Sequence, residues 1–263
     1  MRILAMLLVG CSALVLTCCK KSDDPRVIEG RAMGTDWRLA YRGDREVRAE
    51  VAAEIERWEQ VLSQWRADSD LSRFNRGEPA SADLQRVLDL AGEFELKTGG
   101  AFDAGVLAEV HRAGFGPEGE GVDLSAIGKG FAVDRVGERL RSMGIDHFIF
   151  ELGGEVLAGE GEWRCGVQSP VPGGEWKKLS ISNQAIATSG NYYQYRKSND
   201  GMISHIIDPA TGDPIVRPPV SVTVMAEDCA TADVWATALF VLGPGVEPEG
   251  APEFFWMSGE VEP

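Results

Sequence analysis

The chain has 263 residues, 44% hydrophobic and 25% charged, a composition that excludes wholesale disorder and suits one large domain or two intimate lobes. Its net charge of −15 at pH 7 counts against a nucleic-acid partner, because a phosphate backbone is gripped by clustered Lys and Arg.

The first nineteen residues stand apart. Met1-Arg2 is a minimal positive start, residues 3–17 are almost wholly apolar, and Lys20 to Pro25 turn abruptly polar. A run this short is expected to be an export leader rather than a membrane span. Cys18-Cys19 at its end points to a bacterial lipoprotein whose mature amino-terminal cysteine carries lipid. Thr17 or Cys18 stands where a small residue usually precedes that cysteine, and cleaved secretion without lipid is the alternative. A linker over residues 20–26 then leads into a single domain over residues 27–263.

Residues 27–41 read as paired strands around the turn-prone Met33-Gly34-Thr35. Residues 46–65 carry Val47, Val51, Ile55, Trp58, Val61 and Leu62 at helical spacing. A second helix over 83–97 is stopped by Thr98-Gly99-Gly100. Residues 113–121 form a glycine-rich loop, and a third helix spans 128–143, ended by Gly144. From His147 onward the pattern alternates as strands do, at 148–150, 156–157, 163–167, 178–181, 185–187, 192–196, 204–207 and 220–225. An apolar helix over 230–242 and an edge strand over 253–257 complete the pattern. Helices cluster early and antiparallel strands late, which predicts an α+β fold of two abutting lobes.

Four segments carry more glycine and polar residues than packing needs. Thr98 to Asp103 joins a helix end to an acidic residue, with glycines that permit close backbone approach; a plain helix cap is the competing reading. Asp123 to Gly130 feeds a helix amino terminus, where free N–H groups favour anions, and Lys129 adds a point charge suited to phosphate. The Gly-x-x-x-x-Gly-Lys-[Ser/Thr] spacing of a P-loop is absent, and simple capping competes here too. Ser204 to Gly212 is a strand ending in a Pro and Gly turn; it holds His205, one of three histidines, and Asp208. A strand histidine is more often packed or surface-facing than reactive, and Asp208 can simply brace the turn. Asp233 and Thr237, four apart, share one helix face, where a carboxylate and a hydroxyl together suit a hard cation such as Mg2+. Cys165 and Cys229 lack the Cys-x-x-Cys spacing of a zinc site, and can either pair outside the cytoplasm or stay as buried thiols.

In this order the segments resemble the ApbE family, the FAD:protein FMN transferases. The stretches that carry the likeness are Ala32-Met33-Gly34-Thr35, residues 62–75, 98–103 and 123–134, Leu152-Gly153-Gly154-Glu155, Ala187-Thr188-Ser189-Gly190, residues 204–212 and 232–237. The resemblance implies a T-fold-like core. It also implies that Met33, Trp65 and Ala101-Phe102-Asp103 line a flavin and adenine cradle, that Asp123 and Lys129 hold the dinucleotide, and that Ile207 contacts it. Mg2+ would be held by Asp233, Thr237 and the main-chain carbonyl of Ala126. In so acidic a chain the FAD pyrophosphate must be neutralised locally, by that cation and by Lys129.

The implied reaction transfers FMN from FAD to a threonine hydroxyl of an acceptor protein and releases AMP. His205 is the candidate base, with Asp208 orienting it or acting in its place. By the same resemblance the acceptor is a flavin-carrying domain or a subunit of a membrane redox complex. The leader and its cysteine pair lead us to expect the enzyme at the periplasmic face of the cell envelope, lipid-anchored at Cys18 or Cys19. Two other readings stay open: an FAD pyrophosphatase that yields FMN and AMP, and a non-catalytic flavin-binding envelope lipoprotein. The chain departs from the family pattern in its short proline-rich tail after Gly243. It departs again at Ala230, three residues before Asp233, where some members carry a further acidic ligand.

Overall fold

The structure, a computed structural model, describes residues 24–258 except 172, 175, 193, 194, 199 and 200. The expected export leader, with Cys18 and Cys19, lies outside the described residues.

Strands β1 (Arg26–Ala32) and β2 (Thr35–Tyr41) pair antiparallel across a two-residue turn. Both turn residues, Met33 and Gly34, have positive φ (50° and 75°), the backbone that matches a tight hairpin to the strand twist. Along β2, Trp37, Leu39 and Tyr41 alternate inward and are buried.

Helix α1 (Arg48–Leu62) buries Val51, Ile55, Trp58, Val61 and Leu62 on one stripe. It stops three residues before the expected end. The Ser63 hydroxyl accepts the N–H groups of Trp65 and Arg66, and the Ser69 hydroxyl donates to the Ser63 carbonyl, so the chain turns there. Trp65 therefore sits in a turn, not a helix. The six-residue helix α2 (Asp70–Asn75) follows, capped by Ser69. Helix α3 (Ala82–Lys97) is capped by Ser81 and ends, as expected, at Thr98 and the positive-φ pair Gly99-Gly100. Helix α4 (Leu107–Arg112) precedes the glycine-rich loop, and α5 (Gly128–Ser142) follows it.

The later chain supplies β3 (Phe148–Leu152), β4 (Glu155–Ala158), β5 (Trp163–Val167), β6 (Lys177–Ile181), β7 (Gln184–Gly190), β8 (Tyr195–Ser198), β9 (Gly201–Asp208), β10 (Asp213–Arg217), β11 (Val220–Ala226) and β12 (Glu253–Ser258). Helix α6 (Cys229–Leu242) lies between the last two strands. A seven-stranded sheet runs β1-β2-β3-β4-β7-β11-β12 with every pairing antiparallel. β10-β9-β8 form a separate three-stranded sheet and β5-β6 a two-stranded one. The fold is α+β, with antiparallel sheets.

Inward residues such as Phe148, Phe150, Leu157, Ala187 and Val224 meet α1, α5 and α6 in the main hydrophobic core. That core draws on the early helices and the late strands alike. Residues of opposite pleat, Ile149, Val156, Ile186 and Met225, face Trp163 and Ile181 of the β5-β6 pair in a smaller cluster. Cys229 and Cys165 are both free thiols, the first buried and the second half-buried. Among the described residues no helix is long and apolar enough to cross a membrane.

Candidate active site at the crossing of two helices

Helices α5 and α6 come into backbone contact at Gly130. A side-chain carbon there would stand 2.5 Å from the Cys229 carbonyl oxygen, so only glycine lets the two backbones meet. Across this contact the Gly130 N–H donates to Asp233 Oδ2 at 3.1 Å. One turn further along α5, Asp134 accepts the N–H groups of Cys229 (2.7 Å) and Ala230 (2.9 Å). It thus caps the first turn of the neighbouring helix, whose own N-cap, Asp228, takes the Thr231 N–H. The crossing is held by backbone donors, and Asp233 is fixed with it.

Lys129 extends from the first turn of α5 to form an ion pair with Glu155 Oε1 at the start of β4. The Glu155 side chain is 5% exposed and the Lys129 side chain 31%. Burial pushes the Asp233 carboxyl up, against Lys129 and the Gly130 N–H, which pull it down. Burial likewise lifts Glu155 to about 7, Lys129 opposing and Asp233 adding to the rise. For Lys129, burial alone would lower the ammonium, but Glu155 and Asp233 outweigh it and hold it above the ordinary lysine range. Two carboxyls and one ammonium in a dry crossing leave room for further positive charge.

One turn past Asp233, Thr237 Oγ1 lies 3.1 Å from the Ser189 hydroxyl on β7. On the other side of Lys129, the loop that carries Asp123 and Ala126 is pinned at its start. Asn75 brackets Val122 with two hydrogen bonds, and the Asp123 N–H donates to the Ala104 carbonyl. Asp123 is buried; its Oδ1 accepts the Ser125 N–H at 2.7 Å, and its Oδ2 is buried without a partner.

The remaining predicted residues fall at the margins of this cluster. Met33, half-buried, donates its N–H to Glu59 Oε2 at 3.0 Å from a left-handed conformation uncommon for a side chain of its size. Trp65 is 68% exposed, with its ring free to meet a ligand. Ala101 and Phe102 are buried in the core, while Asp103 is half-buried and accepts the Gly105 N–H. Ile207 is buried in β9, a strand that packs on α6. His205, half-buried on the same strand, meets the Phe115 ring edge-on at 6.3 Å between centroids. Phe115 in turn lies under the Arg196 guanidinium at 5.2 Å. Asp208 closes the β9–β10 turn, accepting the Ala210 N–H at 2.9 Å.

Lys129 and Asp233 thus lie on the two helices of one crossing, with Ala126 in the loop before α5 and Thr237 one turn past Asp233 on α6. Sequence reasoning gave no role to Glu155, Asp134 or Ser189, although each lies in a stretch singled out by its residues. An acid directly after a Gly-Gly turn at a strand start was the available signal for Glu155.

An antiparallel sheet overlaid by two helices that meet at a glycine, with an ammonium and two carboxyls clustered beside that contact, defines an α+β enzyme with its charged centre at the crossing. The chain belongs to the ApbE family, whose model matches residues 33–121 and 117–251. It is 31% identical to an FAD:protein FMN transferase of Klebsiella pneumoniae (strain 342), over 91% of this chain and 84% of that protein. A Vibrio cholerae FAD:protein FMN transferase is 33% identical over 88% of this chain and 86% of its own. Among solved structures, the Pseudomonas stutzeri flavinyl transferase ApbE in its apo form superposes with a TM-score of 0.75 at 27% identity, covering 84% of this chain and 85% of that one. A flavin transferase ApbE from Vibrio cholerae gives 0.72 at 29% identity, covering 89% and 98%.

Proposed function

We propose that this enzyme is an FAD:protein FMN transferase that uses Mg2+, takes FMN from FAD, attaches it to a threonine hydroxyl of an acceptor protein and releases AMP. The observation that carries the reading is the Gly130 crossing, where the Gly130 N–H holds the Asp233 carboxylate and the adjoining Lys129 pairs its ammonium with Glu155.

The residues present fit a hard cation. Asp233, Thr237 and the Ala126 carbonyl offer one carboxylate and two neutral oxygens, and the ion would keep several waters. These donors are all oxygen, unlike the Cys sulfur and His nitrogen that mark a zinc site. When bound, Mg2+ supplies positive charge to the pyrophosphate and to the phosphate that departs with AMP.

Lys129 binds pyrophosphate oxygens from the first turn of α5, as a point charge on a flexible stem. Trp65 offers its exposed face for stacking, and Met33 holds the turn beside α1. His205 receives the proton of the acceptor hydroxyl as its oxygen bonds to the FMN phosphorus. The bond from that phosphorus to the AMP oxygen breaks, and AMP leaves in line. Asp208 braces the turn that ends the His205 strand.

The test mixes the protein with FAD, MgCl2 and a threonine-bearing acceptor domain. Covalent flavin fluorescence on the denatured acceptor, lost when its threonine becomes valine, is the expected result. Free FMN and AMP with an unlabelled acceptor would overturn transfer, and FAD recovered intact would overturn catalysis. We place the enzyme at the periplasmic face of the envelope, anchored by lipid at Cys18 or Cys19. Radiolabelled palmitate incorporated by the parent and lost in the Cys18→Ala, Cys19→Ala double variant is the check on that placement.

A further inference from the structure

Glu155 takes no part in the chemistry above, yet it is a buried carboxyl in a sheet whose buried side chains are mostly apolar. Its position is tightly set. The β3–β4 turn is made by Gly153 and Gly154, with φ of +65° and +111°, and the Gly154 N–H donates to Glu151 Oε1 at 2.9 Å. A side-chain carbon on Gly153 would stand 2.7 Å from Thr35 Cγ2, so this turn is pressed against the β1–β2 turn and has no room to swing. The next residue, Glu155, is delivered to one place beneath α5, where Oε1 takes the Lys129 ammonium.

The second oxygen, Oε2, is buried and has no hydrogen-bond partner. Native interiors leave few polar atoms in that state, and an apolar pair in place of a buried ion pair is often at least as stable. Stability alone therefore does not account for the residue. Lysine has a flexible four-carbon stem and three N–H donors; one donor spent on Glu155 fixes the head and leaves the others for phosphate oxygens.

Resting on the reading of Lys129 as the cation of the pyrophosphate, we infer that Glu155 is a positioning residue for flavin transfer. Its Oε1 holds the Lys129 ammonium at the helix crossing, and its Oε2 is the acceptor kept for an O–H donor that arrives with the substrate. That donor is a hydroxyl of FAD or a water carried by the divalent cation.

The experiment measures FAD affinity by flavin fluorescence without metal, Mn2+ affinity without FAD, and KM and kcat for transfer. It compares the parent with Glu155→Gln, Lys129→Met and the double variant. Glu155→Gln is expected to weaken FAD binding about 10-fold or more and to raise KM more than it lowers kcat, as loss of a charge-assisted contact does. Lys129→Met is expected to do the same, and the double variant to be no worse than the poorer single, because the two act as one unit. Weaker Mn2+ binding in Glu155→Gln assigns the donor to cation-bound water; unchanged Mn2+ binding with weaker FAD binding assigns it to an FAD hydroxyl. FAD affinity within twofold of the parent in Glu155→Gln, or losses that multiply in the double variant, overturns the inference. Lys129→Met with unaltered FAD affinity sinks the reading of Lys129 itself, a different result. If Glu155→Gln does not fold, Glu155→Asp keeps the charge but draws the ammonium back, and parental FAD affinity in that variant also overturns the proposal.

Discussion

Around α5 and α6 the polar groups sit among buried side chains: Asp233, Asp134 and Glu155 are 5%, 8% and 4% exposed, and each is placed by a backbone donor or a pinned turn. On the three-stranded sheet, His205 and Asp208 are only half-buried, and their strand joins the main core through Ile206 while its neighbours lie outside the seven-stranded sheet. The two regions serve different halves of one proposed reaction. Phosphate and cation need fixed charges in a dry setting, where they act strongly and need little reorganisation. A protein hydroxyl needs an open approach, which a shallow sheet at the margin of the fold supplies. In that proposed reaction the crossing would carry both the substrate charge and the cost of burying it, and the small sheet would carry the proton acceptor at little cost to the fold.

Substitutions that uncouple function from stability sharpen this contrast. The largest effect is expected from Asp233→Asn, which should lower transfer roughly 10³-fold by removing the charged oxygen of the cation site. The same variant should melt at or above the parent temperature at pH 8, because burial disfavours this carboxylate in the folded state. Calorimetry beside a flavinylation assay reads both, and a variant that loses activity only by unfolding defeats the separation. His205→Ala comes next, with transfer reduced about 100-fold, the usual scale for a lost general base. Its FAD affinity and melting temperature should stay near those of the parent. Flavinylation that survives His205→Ala removes this histidine from the proton transfer.

How much of this could be read in advance follows the same division between local and long-range cause. The β1–β2 hairpin was legible because its turn and its alternation lie within one short stretch, Arg26 to Tyr41. The end of α3 was legible for a similar reason: glycines at Gly99 and Gly100 stop a helix wherever it sits. The end of helix α1 was read three residues too far, because the Ser63 hydroxyl captures the next backbone donors in a way that hydrophobic spacing does not reveal. Single-turn helices such as α2 and α4 are too short to show a period, and β10 is an edge strand interrupted by Pro214, whose ladder shifts register there. Within the site, Asp233 and Thr237 announced themselves by spacing on one helix face. Asp134 and Glu155 did not, because what each does depends on a helix arriving from 95 residues away or an ammonium from 26.

The crossing itself can be strained without touching its charges. Gly130→Ala would put a methyl group 2.5 Å from the Cys229 carbonyl oxygen, and overpacking of this kind costs about 2–3 kcal/mol. Urea unfolding should show that loss, with transfer reduced as α6 is pushed away from α5. A Gly130→Ala protein as stable as the parent would mean that the helices separate at little cost, and that the crossing is looser than its hydrogen bonds imply.

The smallest expected effect is a change in how stability depends on pH. Burial lifts the Asp134 carboxyl to about 7, above its unfolded value of 3.8, although the Cys229 and Ala230 N–H groups oppose the rise. A carboxyl raised on folding binds more protons in the native state than in the unfolded one between those two values. Its stabilisation is therefore full below about pH 4 and falls as pH rises through about 7. Asp134→Asn cannot titrate, so between pH 5 and pH 8 it should lose less stability than the parent, by about 1 kcal/mol or more. Glu155 and Asp233 shift in the same direction and leave a residual slope in the variant. Urea midpoints at pH 5 and pH 8 measure the difference. Equal slopes in the two proteins would mean that the carboxyl capping α6 stays charged throughout, and that the two backbone donors outweigh its burial.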